Sequence, residues 1–214
     1  MTWEPFETLV DRYEAWFEQE PGRSLFPSEL EAVRRVARGA PGPWVEIGVG
    51  TGAFAAPLCM DLGIDPSRPM LERAGARGVP VVEGVAEALP LRDGSVGTAF
   101  LIVTICFLRD PRAALRQIRY ALKPGGSLII GEIPRDSPWG QRYLALKEEG
   151  NPFYRVATLY TVRETVAMLR GARFRVEAFA STLLRPPTER PEPEPAHDGV
   201  VTGASFVALR AVKL

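Results

Sequence analysis

Apolar positions along this chain repeat at two periods, and the changes of period divide it into segments. Phe6, Leu9, Val10, Tyr13, Trp16 and Phe17 recur at helical spacing, with Glu7, Asp11, Arg12 and Glu18 between them. Steps of three and four place these side chains on one face, so one amphipathic helix with an aromatic face is expected. Pro21-Gly22 ends it. Ser28-Glu29-Leu30-Glu31 has the form of a capping box, opening a second helix that turns Leu30, Val33 and Val36 inward. Gly39 to Pro43 stops that helix.

From there short apolar runs alternate with helical patterns. Trp44 to Ile47 reads as a first strand, followed by a glycine-rich turn and a helix near Phe54 to Leu58. A second strand ends at Gly63-Ile64-Asp65, with Pro69 to Gly75 as its helix. Val79 to Val82 is a third strand and Val96 to Ile105 a fourth. Asp110-Pro111 caps a helix carrying Leu115, Ile118 and Leu122, and Lys123-Pro124-Gly125-Gly126 breaks it before a fifth strand, Ser127 to Ile133. This rhythm predicts a mainly parallel sheet with helices on both faces, its ligand held at the carboxyl ends of the strands.

After the fifth strand the rhythm loosens into a helix and a set of aromatics: Trp139, Tyr143, Phe153, Tyr154 and Tyr160. Thr161-Val162-Arg163-Glu164 forms another capping box, for a helix ending at Gly171. Phe174 to Ser181 and Ala204 to Val212 alternate as strands. Residues 185–199, rich in proline and glutamate, are expected as an extended or mobile loop. The whole chain, 1–214, is read as one domain. Its parts are cap helices over 1–38, a ligand-binding core over 44–133, an insertion on the substrate side over 134–160, and a closing helix and strands over 161–214.

Composition narrows the function classes. In 214 residues, 26 lysines and arginines balance 26 aspartates and glutamates, so no basic surplus exists to neutralise a nucleic-acid backbone. Cys59 and Cys106 stand far apart with no nearby histidine, which excludes a disulfide framework or zinc cluster and suits a reducing compartment. No metal site is expected. The first residues lack the order of a signal peptide, and no apolar run nears the ~20 residues that cross a bilayer. A cytoplasmic protein with neither membrane nor nucleic-acid partner is expected.

The sharpest local signal is Val45-Glu46-Ile47-Gly48-Val49-Gly50-Thr51-Gly52, a strand entering a turn with three alternate glycines. Glycine serves where backbone approaches a ligand closely or takes positive φ. Gly48-x-Gly50-x-x-Ala53 also satisfies a dinucleotide fingerprint, so the turn alone leaves an NAD(P)-binding oxidoreductase open. Glu46, at the strand end, disfavours a pyrophosphate and suits a cationic ligand. Asp65 ends the second strand, where a carboxylate can accept from both ribose hydroxyls. A protein that binds such a ligand without turnover also stays open.

Four segments in order carry a resemblance. The glycine turn, Gly63-Ile64-Asp65-Pro66-Ser67, Gly84-Val85-Ala86-Glu87-Ala88-Leu89-Pro90-Leu91 and Leu122-Lys123-Pro124-Gly125-Gly126 resemble the class I methyltransferases of the UbiE-like, type 11 kind. Tyr13-Glu14-Ala15-Trp16-Phe17 looks like the cap helix of their small-molecule members. The resemblance implies a Rossmann-like, doubly wound sheet of seven strands with an antiparallel C-terminal strand and an N-terminal helical cap. It implies S-adenosylmethionine as cofactor and a small-molecule methyl acceptor. The implied cofactor site comprises Glu46, Gly48, Val49, Gly50, Gly52, Asp65, Pro66, Val85, Ala86, Glu87, Val103 and Thr104. Many relatives carry aspartate where Val85 stands, so the adenine amino contact must be lost or supplied by Glu87 or water, a difference of about 1 kcal/mol.

Methyl transfer needs orientation above all, and a base only when the acceptor loses a proton on attack. Glu132 and Asp136 are the candidates for orienting or deprotonating an acceptor. Tyr13, Trp16, Phe17, Cys106, Phe153, Tyr154 and Tyr160 are the candidate acceptor-pocket residues. Cys106 is read as a small apolar residue and not as a nucleophile. His197, the only histidine, lies in the proline-rich loop and is read as solvated.

Overall fold

The computed structural model describes residues 2–214. Three helices open the chain: α1 (Glu4–Thr8), α2 (Val10–Glu18) and α3 (Gly22–Ala37). The core follows as β1 (Trp44–Ile47), β2 (Leu62–Asp65), α4 (Arg68–Ala76), β3 (Val81–Glu83), β4 (Val96–Ile102), α5 (Pro111–Ala121) and β5 (Leu122–Glu132). It closes with α6 (Pro138–Glu148), α7 (Pro152–Arg155), α8 (Val162–Gly171), β6 (Phe174–Thr182), β7 (His197–Asp198) and β8 (Phe206–Lys213).

The sheet runs in the order β3-β2-β1-β4-β5-β8-β6-β7. β1 to β5 pair in parallel, and β8 inserts antiparallel between β5 and β6. Strand order reverses between β1 and β4, which opens a crevice at their carboxyl ends. Alternation along the central strands splits the core into two layers. Phe100, Ile102 and Ile129 pack with α3, whereas Ala99, Leu101, Leu128 and Ile130 pack with α5 on the opposite face. The central strands β1, β2, β4 and β5 are buried on both sides, as a covered parallel sheet requires, while β3 at the edge is largely exposed. No helix among the described residues is long and apolar enough to cross a membrane.

Eight strands replace the expected seven. The extra strand is β7, a two-residue segment inside 185–199 that pairs with β6 through Ala180 and Ser181. The proline-rich loop is pinned there: the Glu194 amide donates to Ser28 Oγ at 2.7 Å, and the Glu194 carboxylate accepts from the Leu184 amide at 2.9 Å.

Four other local expectations are corrected. The first helix is broken at Leu9, whose φ of −123° and ψ of 36° leave the helical region. Ser28 caps nothing, because α3 begins at Gly22 and continues through Pro27. A methyl group on Gly22 would lie 2.0 Å from the Trp16 carbonyl oxygen, so glycine permits α2 and α3 to touch. Phe54 to Leu58 forms hydrogen-bonded turns in place of a helix, ending where Cys59 takes φ +52°. The fourth strand stops at Ile102, and Ile105–Phe107 is a short 3₁₀ turn.

Candidate active site

Backbone hydrogen bonds lock the ends of β1 and β2 together. The amides of Gly48 and Val49 both donate to the Ile64 carbonyl, at 2.7 and 3.0 Å. The next amide, Gly50, donates to Asp65 Oδ2 at 2.9 Å, and Ser67 N donates to Oδ1 at 2.9 Å. Asp65 is only 8% exposed, and burial pushes its pKa up to about 6 against the pull of those two amides. Gly48 at φ +74° carries the glycine requirement: a methyl group there would sit 2.3 Å from Thr104 Cγ2.

A pocket of about 90 Å³ opens above this turn, lined by Gly48, Gly50, Asp65, Pro66, Val85, Ala86, Glu87, Val103 and Thr104. Thr2, Trp3 and Phe6 form its outer wall, an N-terminal contribution that the sequence pattern did not reveal. Glu87 is partly committed, since its Oε1 accepts from the amides of Arg109 and Asp110 at 3.0 and 3.1 Å. Gly52 lines neither pocket; with φ +79° it packs its backbone against Ala74.

A larger chamber of about 370 Å³ lies beside the first pocket. Phe6, Tyr13, Gly48, Ile102, Val103 and Phe107 face both, so the two spaces meet along one seam. Tyr13, Trp16, Phe17, Cys106, Phe153, Tyr154 and Tyr160 all line the chamber, together with Phe6, Tyr143 and Glu29. Phe6 centres an aromatic cluster, 4.9 Å from Phe107 and 5.3 Å from Phe153 between ring centroids. Trp16 and Phe17 also pack toward the core, with Phe17 edge-on to Phe26 at 5.4 Å. Cap and core roles therefore coincide in the aromatic stripe.

Three buried carboxylates face this apolar chamber. Glu46 accepts from the Ala55 amide, while its Oε2 has no partner; burial, then the neighbouring Asp65, raises its pKa well above the usual range. Glu132, 4% exposed at the end of β5, takes a hydrogen bond from Thr165 Oγ1 at 2.5 Å and leaves Oε1 unpaired. Burial pushes Glu132 up to about 7. Burial alone pushes Glu29 up to about 8. An isolated buried carboxylate is costly, and a cation or hydrogen-bond donor in the chamber relieves that cost.

The remaining candidates separate cleanly. Asp136 is exposed and lines neither space, so it is not placed to orient or deprotonate an acceptor. Burial pushes the Cys106 thiol up to about 12, which leaves it a wall residue without thiolate character. His197 is exposed on β7. Val103 holds φ +50°, an outlier for a β-branched side chain, and its amide donates to Gly131 O at 2.7 Å. Val103 lines both pockets, and its backbone conformation has no sequence signature.

The residues fit a cofactor with a ribose and two positive centres. Asp65 is set beside the smaller pocket, bare backbone forms the cradle, and the orphaned Glu46 oxygen suits an ammonium or sulfonium. Fold and site together define an adenosine-binding α/β transferase. Residues 45–130 match the family described as methyltransferase domain. A SAM-dependent methyltransferase of Thermotoga maritima, described as a possible histamine N-methyltransferase, is 40% identical and superposes with a TM-score of 0.93 over 100% of both chains. An uncharacterised protein of Mycobacterium tuberculosis is 42% identical over 201 residues, covering 94% of this chain and 70% of that one. Another, from Methanocaldococcus jannaschii, is 30% identical across 98% of both chains. The chain belongs to the class I SAM-dependent methyltransferases, and it is an enzyme that uses S-adenosylmethionine.

Proposed function

We propose that this methyltransferase acts on a small molecule bound in the aromatic chamber, with Glu132 as the group that receives the acceptor's proton. The observation that carries the reading is the seam itself: Tyr13 and Val103 face both the smaller pocket and the chamber. The chamber volume of about 370 Å³ falls at the lower end of small-molecule sites, roughly 300–1,000 Å³. An acceptor the size of histamine, the amine named for the Thermotoga maritima relative, fits such a volume. The chain's balanced charge argues against a nucleic-acid acceptor.

When bound, S-adenosylmethionine supplies an electrophilic methyl group on a positively charged sulfur. Asp65, held in place by the Gly50 and Ser67 amides, would accept from the ribose hydroxyls, and Glu46 would offset the cofactor's positive charge. The aromatic cap excludes water and orients the acceptor, contributions that dominate for an in-line displacement. Glu132 Oε1, unpaired and buried, takes the proton that the acceptor gives up, and a pKa of about 7 suits that exchange near neutral pH. Thr165 holds the carboxylate in place through its 2.5 Å hydrogen bond.

The test is a radiolabelled methyl-transfer screen over small amines, phenols, thiols and carboxylates, run beside protein and RNA acceptors. Label in a small molecule, lost with Glu132→Gln, supports the reading. Label only in protein or RNA overturns it.

A further inference from the structure

Two of the chamber's carboxylates have roles in the reading above, Glu46 toward the cofactor and Glu132 toward the reacting atom. Glu29 has none. It sits on the inward face of α3 among Leu25, Ala32, Val33 and Val36, where the packing calls for an apolar side chain, and it is 2% exposed. No hydrogen bond or ion pair from another described residue reaches its carboxylate. A charged group in an apolar position lowers stability, and such breaches of the packing rule concentrate where a ligand compensates them.

Its surroundings point to a cation. Glu29 lines the chamber assigned above to the acceptor, beside Tyr143 and Tyr154, and not the smaller pocket. Tyr143 and Tyr154 stack beside the same space, 4.5 Å apart at 13°, and both feel the charge of Glu29. A buried carboxylate beside aromatic rings in one chamber is an environment suited to an ammonium group, by charge pairing and by cation–π attraction within about 6 Å of a ring. Arg12, exposed at the rim, is the single basic side chain among the described residues lining the chamber, so no internal cation fills the role.

We propose that Glu29, with the stacked Tyr143 and Tyr154, forms a subsite that binds an ammonium group of the methyl acceptor. The acceptor is then two-ended. Its amine is anchored at Glu29, while its reacting atom lies toward the seam at Val103, with Glu132 in the chamber wall. This assignment rests on the chamber being the acceptor site and adds the chemical class of the acceptor, a small aryl- or alkylamine.

The experiment titrates 2-phenylethylamine and its uncharged counterpart 2-phenylethanol into protein saturated with S-adenosylhomocysteine, by calorimetry at pH 7 in buffers of different ionisation enthalpy. The amine is expected to bind more than tenfold tighter than the alcohol. Because Glu29 holds its proton at pH 7 when the chamber is empty, amine binding is expected to release about one proton. Glu29→Gln is expected to remove both the preference and the proton release, with affinity for S-adenosylhomocysteine unchanged. Equal binding of amine and alcohol, no amine binding, or a preference that survives in Glu29→Gln overturns the subsite. Should Glu29→Gln not fold, the wild-type proton count and amine preference still decide. Failure of S-adenosylhomocysteine itself to bind would instead strike the underlying cofactor reading, so the two failures are distinct.

Discussion

The Gly50 amide and the Asp65 carboxylate are joined by a 2.9 Å hydrogen bond that links the tip of the glycine turn to the end of the adjacent strand. Asp65 thereby shapes the cradle as well as lining the smaller pocket. Asp65→Ala is expected to lower affinity for S-adenosylhomocysteine by about 2–4 kcal/mol through lost charge-assisted hydrogen bonds. Asp65→Asn, which keeps one acceptor oxygen, should fall between. Calorimetry at constant pH measures both, and unchanged affinity in the alanine variant removes Asp65 from the site.

Glu132 makes a pH-dependent claim. A base must be deprotonated to act, so kcat/KM for an acceptor that loses a proton is expected to fall about tenfold per pH unit below about 7. The Thr165 hydroxyl favours the charged carboxylate. Thr165→Val should therefore raise the Glu132 pKa and move the acidic limb to higher pH, while Glu132→Gln should flatten the profile at a low rate. A Thr165→Val profile superimposable on wild type would deny Thr165 this part.

Stability should also depend on pH, and its sign is fixed by burial. The folded pKa values of Glu29 and Glu132, about 8 and about 7, lie above the ordinary carboxylate value of 4.5. Over that window the folded chain binds more protons than the unfolded one, so stability declines as pH rises from about 4.5 toward 8. The ligand-free thermal midpoint is expected to be lower at pH 8.5 than at pH 5. Glu29→Gln should lessen that drop, and scanning calorimetry at the two pH values compares them.

Contact between the cap helices yields a pair of opposite expectations. Gly22→Ala places a methyl group 2.0 Å from the Trp16 carbonyl oxygen, which forces α2 away from α3. A lower thermal midpoint and weaker acceptor turnover should come together. Trp16→Ala removes a half-buried wall of the chamber and should raise the acceptor KM at least tenfold with a smaller loss of thermal stability. Steady-state kinetics and melting curves on both variants separate the roles; equal losses of folding would make Trp16 a core residue only.

The sequence revealed what local chemistry determines. Strand and helix periods placed β1 to β5, because the central strands bury both faces and each helix one stripe; β3, largely exposed at the edge, was legible only as a short apolar run. The glycine turn and Asp65 were legible because close backbone approach and a strand-end acid leave residue-type signatures. α3 was misread because Pro27 followed by Ser-x-x-Glu imitates a helix start, whereas the helix tolerates its proline on an exposed face. β7 escaped notice because its support is remote, coming from Ser28 through Glu194. The chamber was only partly legible, since it gathers α1, α2, α3, β5 and the segment from Tyr143 to Tyr160. Glu29 has no signature in the pattern, since a single acid beside Ser28 gives no sign of burial, whereas in α3 it lies mid-helix on the buried face.

Three fastenings tie the first two helices to α4: Ser67 Oγ donates to Phe6 O at 3.1 Å, Arg73 pairs with Asp11 at 2.5 Å, and Arg77 pairs with Glu14. Arg73 and Asp11 are largely open to water, where such a pair contributes little. Phe6 and Tyr13, carried by these two helices, line both pockets, so a movement that releases the helices from α4 would open both spaces at once. The less exposed Arg77–Glu14 pair is the part that added salt would weaken, so a turnover limited by product release should quicken as ionic strength rises and lose that dependence in Arg77→Gln.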